Sequence, residues 1–344
     1  MKIGLVGYQG SGKSTLFEWL TGVAPDPSHS HTAQSAMAPV PEPRLEKLGE
    51  IYRPKKLTAA ALEIVDTPGL SRTHQGNAQK LALLREAGCL VLVVAAFDGS
   101  DPAKDLIAFE EDLLLADMEI VSGRLERIEQ TLKKPVPHAE REQLEHERDA
   151  LKSVLGAMEA GRPLREAEMS EEQRAATRAF RLLSEKPRMV IVNIAEMEEN
   201  PDRFRDAVPP EIPMLAIPAD LELELARMSP EDRREFEAEM GIGSADRDTV
   251  LRTMMEASGQ MIFFTTSRKE VRAWLLPKGA TALDAAGVIH TDMARGFIRA
   301  EVICTSDLIR LGSEREVKAQ HLVRHEPKNY VVQDDDILFI HFST

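Results

Sequence analysis

The sequence predicts an α/β protein: a parallel sheet covered on both faces, interrupted by a helical insertion and followed by a small α+β module. Three observations carry this expectation. Short apolar runs alternate with stretches of helical pattern. One run, Cys89–Phe97, is apolar throughout, as suits a strand buried on both faces of a parallel sheet. Residues 111–187 hold 13 Lys/Arg and 17 Asp/Glu, with apolar residues at helical spacing among them.

Taken in order, Lys2–Val6 reads as a buried strand, followed by a glycine-rich turn and a helix from Lys13 to Leu20. Residues Thr21–Pro43, rich in Ser, His, Pro and Ala, read as a long loop. Leu62–Val65 is a second strand ending at Asp66, and Cys89–Phe97 a third. In the charged block, Val121, Leu125, Ile128 and Leu132 recur at helical spacing, as do Leu144, Leu151, Leu155 and Met158, with Pro135 and Pro137 between. This predicts two antiparallel helices with a coiled-coil-like seam. A third helix is expected from Ser170, where Gln173 completes a capping box, to before Pro187. Met189–Val192 and Met214–Ile217 return to strand pattern. From about Thr266, the runs Val271–Leu276, Ile298–Ile303, Tyr330–Val332 and Ile337–Phe342 read as strands around a short helix, Thr281–Gly287.

The chain has 344 residues, a net charge of −14 and two cysteines. That length suits two or three domains. Cys89 and Cys304 show no metal-ligand spacing, which fits a reducing, cytoplasmic compartment and argues against a disulfide framework. The longest apolar run is too short to span a bilayer, and the first residues lack a signal-peptide pattern, so no membrane partner is expected. The acidic balance argues against DNA and against non-specific coating of nucleic acid. Residues Lys269–Thr344 carry only −1 of it, and Arg295 and Arg299 flank Gly296-Phe297, with Arg272 and Lys278 in nearby strands. If the fold groups them, they form a local basic face able to touch RNA.

Gly7-Tyr8-Gln9-Gly10-Ser11-Gly12-Lys13-Ser14 matches G-x-x-x-x-G-K-[ST] between a strand and a helix, the context this motif requires. Phosphate oxygens need backbone N–H groups to close around them, and Gly10 and Gly12 permit that approach. The helix N-terminus adds positive potential. Lys13 is placed to bridge terminal phosphates, and Ser14 to hold Mg²⁺. Gly7, Gly10, Ser11, Gly12, Lys13, Ser14 and Thr15 are thus the candidate nucleotide contacts. Asp66-Thr67-Pro68-Gly69 at a strand end matches D-x-x-G, with Asp66 toward the metal and the Gly69 N–H toward the terminal phosphate. Lys13, Asp66 and Gly69 are the candidate catalytic residues. Leu70 follows, where many GTPases place a water-orienting glutamine, so slow turnover is expected.

After Met189–Val192 comes Asn193-Ile194-Ala195-Glu196, where a guanine-binding chain has N-K-x-D. Ile194 replaces the lysine that covers the base. Glu196 is one methylene longer than the aspartate that takes two guanine hydrogen bonds. Adenine needs no carboxylate there, so ATP is expected over GTP.

These motifs resemble the Obg-like ATPase family, the YchF type. The resemblance also rests on Pro39-Val40-Pro41-Glu42-Pro43-Arg44-Leu45, on Leu113–Glu119, and on C-terminal segments including Glu270–Trp274, Ala285–Asp292, Gly296–Glu301 and Tyr330–Asp334. It implies a Ras-like P-loop domain (1–110 with 188–265), a helical coiled-coil arm (111–187) and a ubiquitin-like β-grasp TGS domain (266–344). It further implies a Mg²⁺-dependent ATPase that associates with the ribosome or a ribosomal subunit through the TGS domain and the arm. The backbone at Ile194 and the loop Pro218-Ala219-Asp220 would help read the base. Several positions depart from the family. Gly10 replaces an asparagine linked to K⁺ in related enzymes. The switch hydroxyl for Mg²⁺ falls on Ser30 or, with a shifted alignment, Thr32. A loop carrying a catalytic histidine is deleted between Phe97 and Asp101, leaving His74 as an alternative, while His290 reads as structural or partner-facing. A broader Obg-type GTPase and a catalytically weak nucleotide-binding adaptor remain the rival readings.

Overall fold

The computed structural model describes every residue except 27–31, 74–75, 98, 163, 197, 199, 241–245 and 344. Among the described residues the strands are β1 (Lys2–Val6), β2 (Gln34–Pro39), β3 (Lys56–Thr58), β4 (Ala61–Asp66), β5 (Cys89–Ala95), β6 (Arg188–Asn193), β7 (Met214–Ile217), β8 (Gln260–Thr266), β9 (Glu270–Pro277), β10 (Phe297–Cys304), β11 (Arg324–Glu326) and β12 (Asp336–Phe342). They form two six-stranded sheets, β2-β4-β1-β5-β6-β7 and β11-β10-β12-β8-β9-β3. The chain gathers into two compact units: Met1–Ala36 with Glu63–Ala245, and Met37–Leu62 with Asp246–Thr344.

In the first unit, β1 pairs in parallel with β4 and β5, β5 with β6, and β6 with β7. Parallel neighbours bury strands on both faces, and every residue of β5 and β6 is buried. All five strands run the same way, so their carboxyl ends share one edge, where α/β sheets bind ligands. β1 runs into the Gly7 turn at that edge, β4 ends at Asp66, β6 at Asn193 and β7 at Ile217. The third strand stops at Ala95, two residues before the expected Phe97, which is 39% exposed.

The region expected as loop from Thr21 to Pro43 contains β2. Gln34-Ser35-Ala36-Met37-Ala38-Pro39 carries little β-branched or aromatic signal, and it lies at the end of its sheet, where one neighbour suffices.

The helical arm is built from Pro102–Leu132 and His138–Glu159, separated by the two prolines. Val121, Leu125 and Ile128 meet Leu151, Val154 and Met158 in one buried cluster, with Leu132, Leu144 and Leu155 partly buried around it. Arg124 makes two hydrogen bonds to Glu147 across the pair, at 2.8 and 2.7 Å. The first arm helix begins well before 111. Asp101 caps it by accepting from Ala103 N and Lys104 N, and its first turns pack Leu106, Phe109 and Leu113 into the sheet core. One helix therefore serves both the sheet and the arm. At their junction Asp117, fully buried, accepts from Arg85 Nη1 (2.6 Å), Leu183 N (3.0 Å), Ser184 N (2.7 Å) and Ser184 Oγ (2.8 Å). The Ser170–Gln173 capping box is formed at the helix Glu171–Thr177.

In the second unit, β8 and β9 form an antiparallel pair, β10 pairs antiparallel with β12, and β12 lies parallel to β8. The helix Ala282–Ile289 packs Ala282 and Ala285 on this sheet with Phe263, Leu276, Val302 and Leu338. Two segments join this unit that were expected in the P-loop domain. β8 sits inside the sheet, and β3 extends it by pairing with β9. The helix Pro43–Tyr52 belongs here too: Arg44 stacks on Phe264 (5.3 Å to the ring centre) and bonds Asp334, and Tyr52 donates to Glu314 at 2.7 Å. The run Met261-Ile262-Phe263-Phe264 is apolar enough for either sheet, so local sequence left its partner open. Tyr330–Val332 makes only an isolated bridge from Val331 to Thr281 among the described residues.

Three of the residues expected on a local basic face have partners, Arg295 and Arg299 in exposed ion pairs. Arg272 lies over Trp274 at 3.9 Å, Arg295 pairs with Asp292 and Arg299 with Glu301. Phe297 packs against the core, and its neighbour Ile298 is the exposed one, at 62%. His290 accepts from Asp292 N and so caps the short helix Thr291–Arg295. Both cysteines are free, Cys89 buried and Cys304 half-buried. No described helix is long and apolar enough to cross a membrane.

Candidate functional site

The helix Lys13–Thr21 begins at Gly12 with no side-chain cap, which leaves its first N–H groups facing the turn. Gly12 is left-handed (φ 93°), and a Cβ there would come within 2.1 Å of Asn193 Nδ2. Only glycine allows this helix to start against that side chain.

Lys13 folds back under the loop. Its Nζ donates to Tyr8 O at 2.7 Å and to Ser11 Oγ at 3.4 Å. Burial pulls its pKa down to about 8, against a stabilising pull from Asp66. Ser14 Oγ donates to Asp66 Oδ2 at 2.6 Å. Asp66 is itself held above its usual carboxylate range by burial, and its Oδ1 is buried with no hydrogen-bond partner. Thr67 anchors the turn by donating to Leu5 O at 2.6 Å.

The D-x-x-G segment is stitched to the phosphate loop along its backbone. Gln9 N donates to Leu70 O and Leu70 N to Gly7 O, both at 3.0 Å. Gly69 packs so closely that a Cβ would fall 2.8 Å from Gln9 Cα and N. Leu70 is buried in the sheet core, so its side chain does not reach solvent water. Tyr8 enters the same core edge-on to Phe109 (5.4 Å) and donates to Asp112 at 3.0 Å. Burial, and then Asp112, pushes its hydroxyl above the ordinary range, so it stays protonated.

These residues surround one opening, lined by Gln9, Lys13, Ser14, Thr32, Asp66 and Lys80 among others. Ser30 and His74 lie outside the described residues. Thr15 sits half-buried in the first helical turn. A second opening on the same unit is lined by Phe97, Ile194, Ala195, Glu196, Pro218, Asp220 and Leu221. Asn193 ties the two together. Its Nδ2 donates to Ser11 O at 3.2 Å, and its Oδ1 accepts from Ala219 N at 3.0 Å. Sequence reasoning found Asn193, Ile194, Glu196 and Ala219 but missed Phe97, Leu221 and Lys80. Their only signal was position after strands whose ends the fold brings together.

The comparisons with known proteins agree with this construction. Residues 2–122 match the 50S ribosome-binding GTPase family, and residues 261–343 match the YchF-GTPase_C family, described as a protein of unknown function (DUF933). The chain is 32% identical over 365 residues to "Ribosome-binding ATPase YchF" of Bacillus subtilis (strain 168), covering 99% of this chain and 98% of the relative. The chain belongs to the YchF family. The YchF ATPase of Escherichia coli O157:H7 is 33% identical, with 99% of each chain covered. "Obg-like ATPase 1" of Oryza sativa subsp. japonica is 32% identical, covering 100% of this chain and 92% of the relative. The solved structure of the Schizosaccharomyces pombe YchF GTPase superposes with a TM-score of 0.85 at 26% identity, covering 99% of this chain and 97% of that one. This YchF chain is thus a P-loop NTPase-type protein with a YchF C-terminal module.

In this YchF protein Asn193→Ala removes a buried link with two ends. Nucleotide affinity is expected to fall about tenfold, as ~1–3 kcal/mol is the usual cost of orphaning such groups. Isothermal titration with ADP checks it.

Proposed function

We propose that this chain is a Mg²⁺-dependent ATPase that turns over slowly and reports its nucleotide state to the ribosome. The observation that carries the reading is the pairing of Ser14 with Asp66 beside Lys13, at an uncapped helix start. Two hard oxygen donors side by side, with Asp66 Oδ1 unpartnered, match what Mg²⁺ prefers. Ser14 and Asp66 would hold the ion, joined by a hydroxyl of the preceding loop, Thr32 or Ser30. When bound, the ion would neutralise phosphate charge and fix the phosphate geometry.

The remaining roles fall to the protein. The first N–H groups of the helix cradle the phosphates, and Lys13 leaves its neutral partners Tyr8 O and Ser11 Oγ to take their charge. Gly69 presents its N–H to the terminal phosphate, which couples the D-x-x-G turn to that phosphate. Buried Leu70 leaves water unoriented from that position, which supports slow turnover.

For the base, the apolar walls Phe97, Ile194 and Leu221 suit the faces of a purine; Ile194 and Glu196 stand where a guanine site has its lysine and aspartate, and Asp220 lines the same opening. ATP is therefore the favoured substrate. Glu196 does stand on the rim as a carboxylate, and this supports a GTPase as the second reading. Competition against labelled ATP decides between them. ATP is expected to bind at least about tenfold tighter than GTP, a typical value for one lost specificity contact. Tighter GTP binding sinks the base argument, and no phosphate release in a single turnover leaves the adaptor.

The relatives' names support a ribosomal partner and hence a cytoplasmic location. Co-sedimentation with ribosomes in an ATP-analogue state is the test, and protein left in the supernatant in every nucleotide state refutes it. The TGS-like module and the arm are proposed as the contacting parts.

A further inference from the structure

We infer that Lys80 supplies a second positive charge to the terminal phosphate, alongside Lys13, during hydrolysis. This rests on the ATPase reading above and adds a residue that none of its motifs contains.

Lys80 stands in the helix Asn77–Leu84, just after the D-x-x-G turn. Its Nζ donates to Gly69 O at 2.7 Å. Gly69 meets Lys13 as well, since a Cβ built there would lie 3.0 Å from Lys13 Nζ. One glycine is thus flanked by two ammonium groups, and both line the same opening as Ser14 and Asp66. Among the described residues no carboxylate pairs with Lys80, whose partner is a neutral carbonyl. Two of its three N–H donors remain for other oxygens. Two like charges held together in a half-buried opening disfavour each other until an anion arrives.

Hydrolysis gives such a cation a task. The oxygen of water bonds to the γ-phosphorus as the bridging P–O bond breaks. The bond's electron pair leaves with ADP, and the water proton ends on the released phosphate or solvent. Charge shifts over the γ and bridging oxygens, and a cation placed there stabilises the transition state more than the ground state. Lys80 acts as a charge and takes no part in the proton transfer. Neither Gly10, which has no side chain, nor buried Leu70 offers a polar group in its place.

The test uses the full chain with Lys80→Met, Lys80→Gln and Lys80→Arg. Glutamine keeps a donor for Gly69 O without charge, and arginine keeps charge. Wild type is expected to release phosphate in a single turnover and to trap ADP with aluminium fluoride. Lys80→Met and Lys80→Gln are expected to lose about 100-fold in rate, the usual value of one transition-state donor. They should not trap ADP–aluminium fluoride, yet should bind MgADP within about twofold of wild type. Lys80→Arg should retain trapping. The inference is overturned if the neutral variants hydrolyse within about threefold of wild type, or if Lys80→Gln matches wild type while Lys80→Met does not, the mark of a strut. It also falls if rate and ADP affinity drop together. Wild type without phosphate release brings down the ATPase reading itself.

Discussion

Asp117→Ala is expected to destabilise the chain by about 3–5 kcal/mol, the cost of breaking a buried ion pair from one side. Asp117 is fully buried and takes four hydrogen bonds from three residues. Its loss strands the Arg85 guanidinium, only 12% exposed in its side chain, and orphans the backbone N–H groups of Leu183 and Ser184. The same change leaves a cavity where the first arm helix meets the segment returning to β6. Asp117→Asn keeps an acceptor but turns an NH₂ toward donors, so it should be nearly as harmful. Urea unfolding followed by circular dichroism measures the loss, and a midpoint unchanged from wild type contradicts it. The segment Leu113–Glu119 is part of the family likeness, and this junction gives a physical reason for its aspartate.

Lys13→Ala is expected to have the opposite profile. Affinity for MgATP should fall about 100-fold, as charge-assisted contacts to phosphate are worth ~2–3 kcal/mol. Phosphate release should fall at least as far. Folding stability should not fall at all. Without nucleotide, Lys13 is a buried ammonium with a carbonyl and a hydroxyl for partners, and its pKa is near 8 instead of the usual 10.5. The unfolded chain binds the extra proton between those values, so this lysine costs stability below pH 8. That cost fades as pH rises towards 10.5. Wild-type stability gains over that window, and the variant should lose that part of the gain. Melting curves at pH 7 and 9.5, beside nucleotide titrations at pH 7, separate the two effects. A variant that melts lower at pH 7 contradicts the assignment.

Much of this was legible in the sequence, for physical reasons. The P-loop, Asp66 and Asn193 were readable because parallel strands buried on both faces are apolar runs, and each ends in a residue whose chemistry needs the strand's carboxyl edge. The arm's seam was readable because Val121, Leu125 and Ile128 repeat at helical spacing. The edge strands β2 and β3 were not. β2 is built from small residues, and β3 is short, with a partner, β9, far along the chain. β8 was not read as a strand, and its segment was assigned to the P-loop domain, since Phe263 and Phe264 would suit either core. In the site, motifs named the residues that touch phosphate. Lys80 and Phe97 sit there only because the fold brings strand-following segments together, which no local pattern records.

The placement of Met37–Leu62 in the second unit bears on synthesis. β3 pairs with β9, and Thr58 bonds Glu270 across 212 positions of chain. At ~5–20 residues per second, the ribosome needs roughly 10–40 s to make that stretch. For that time the helix Pro43–Tyr52 and β3 have left the peptidyl-transferase centre without the strands that cover them. Leu45 and Leu48, buried in the finished protein, wait beside an unpaired strand edge. The second unit closes only when the last strands, β9 to β12, have been made. Until then that apolar surface is open to non-native contacts.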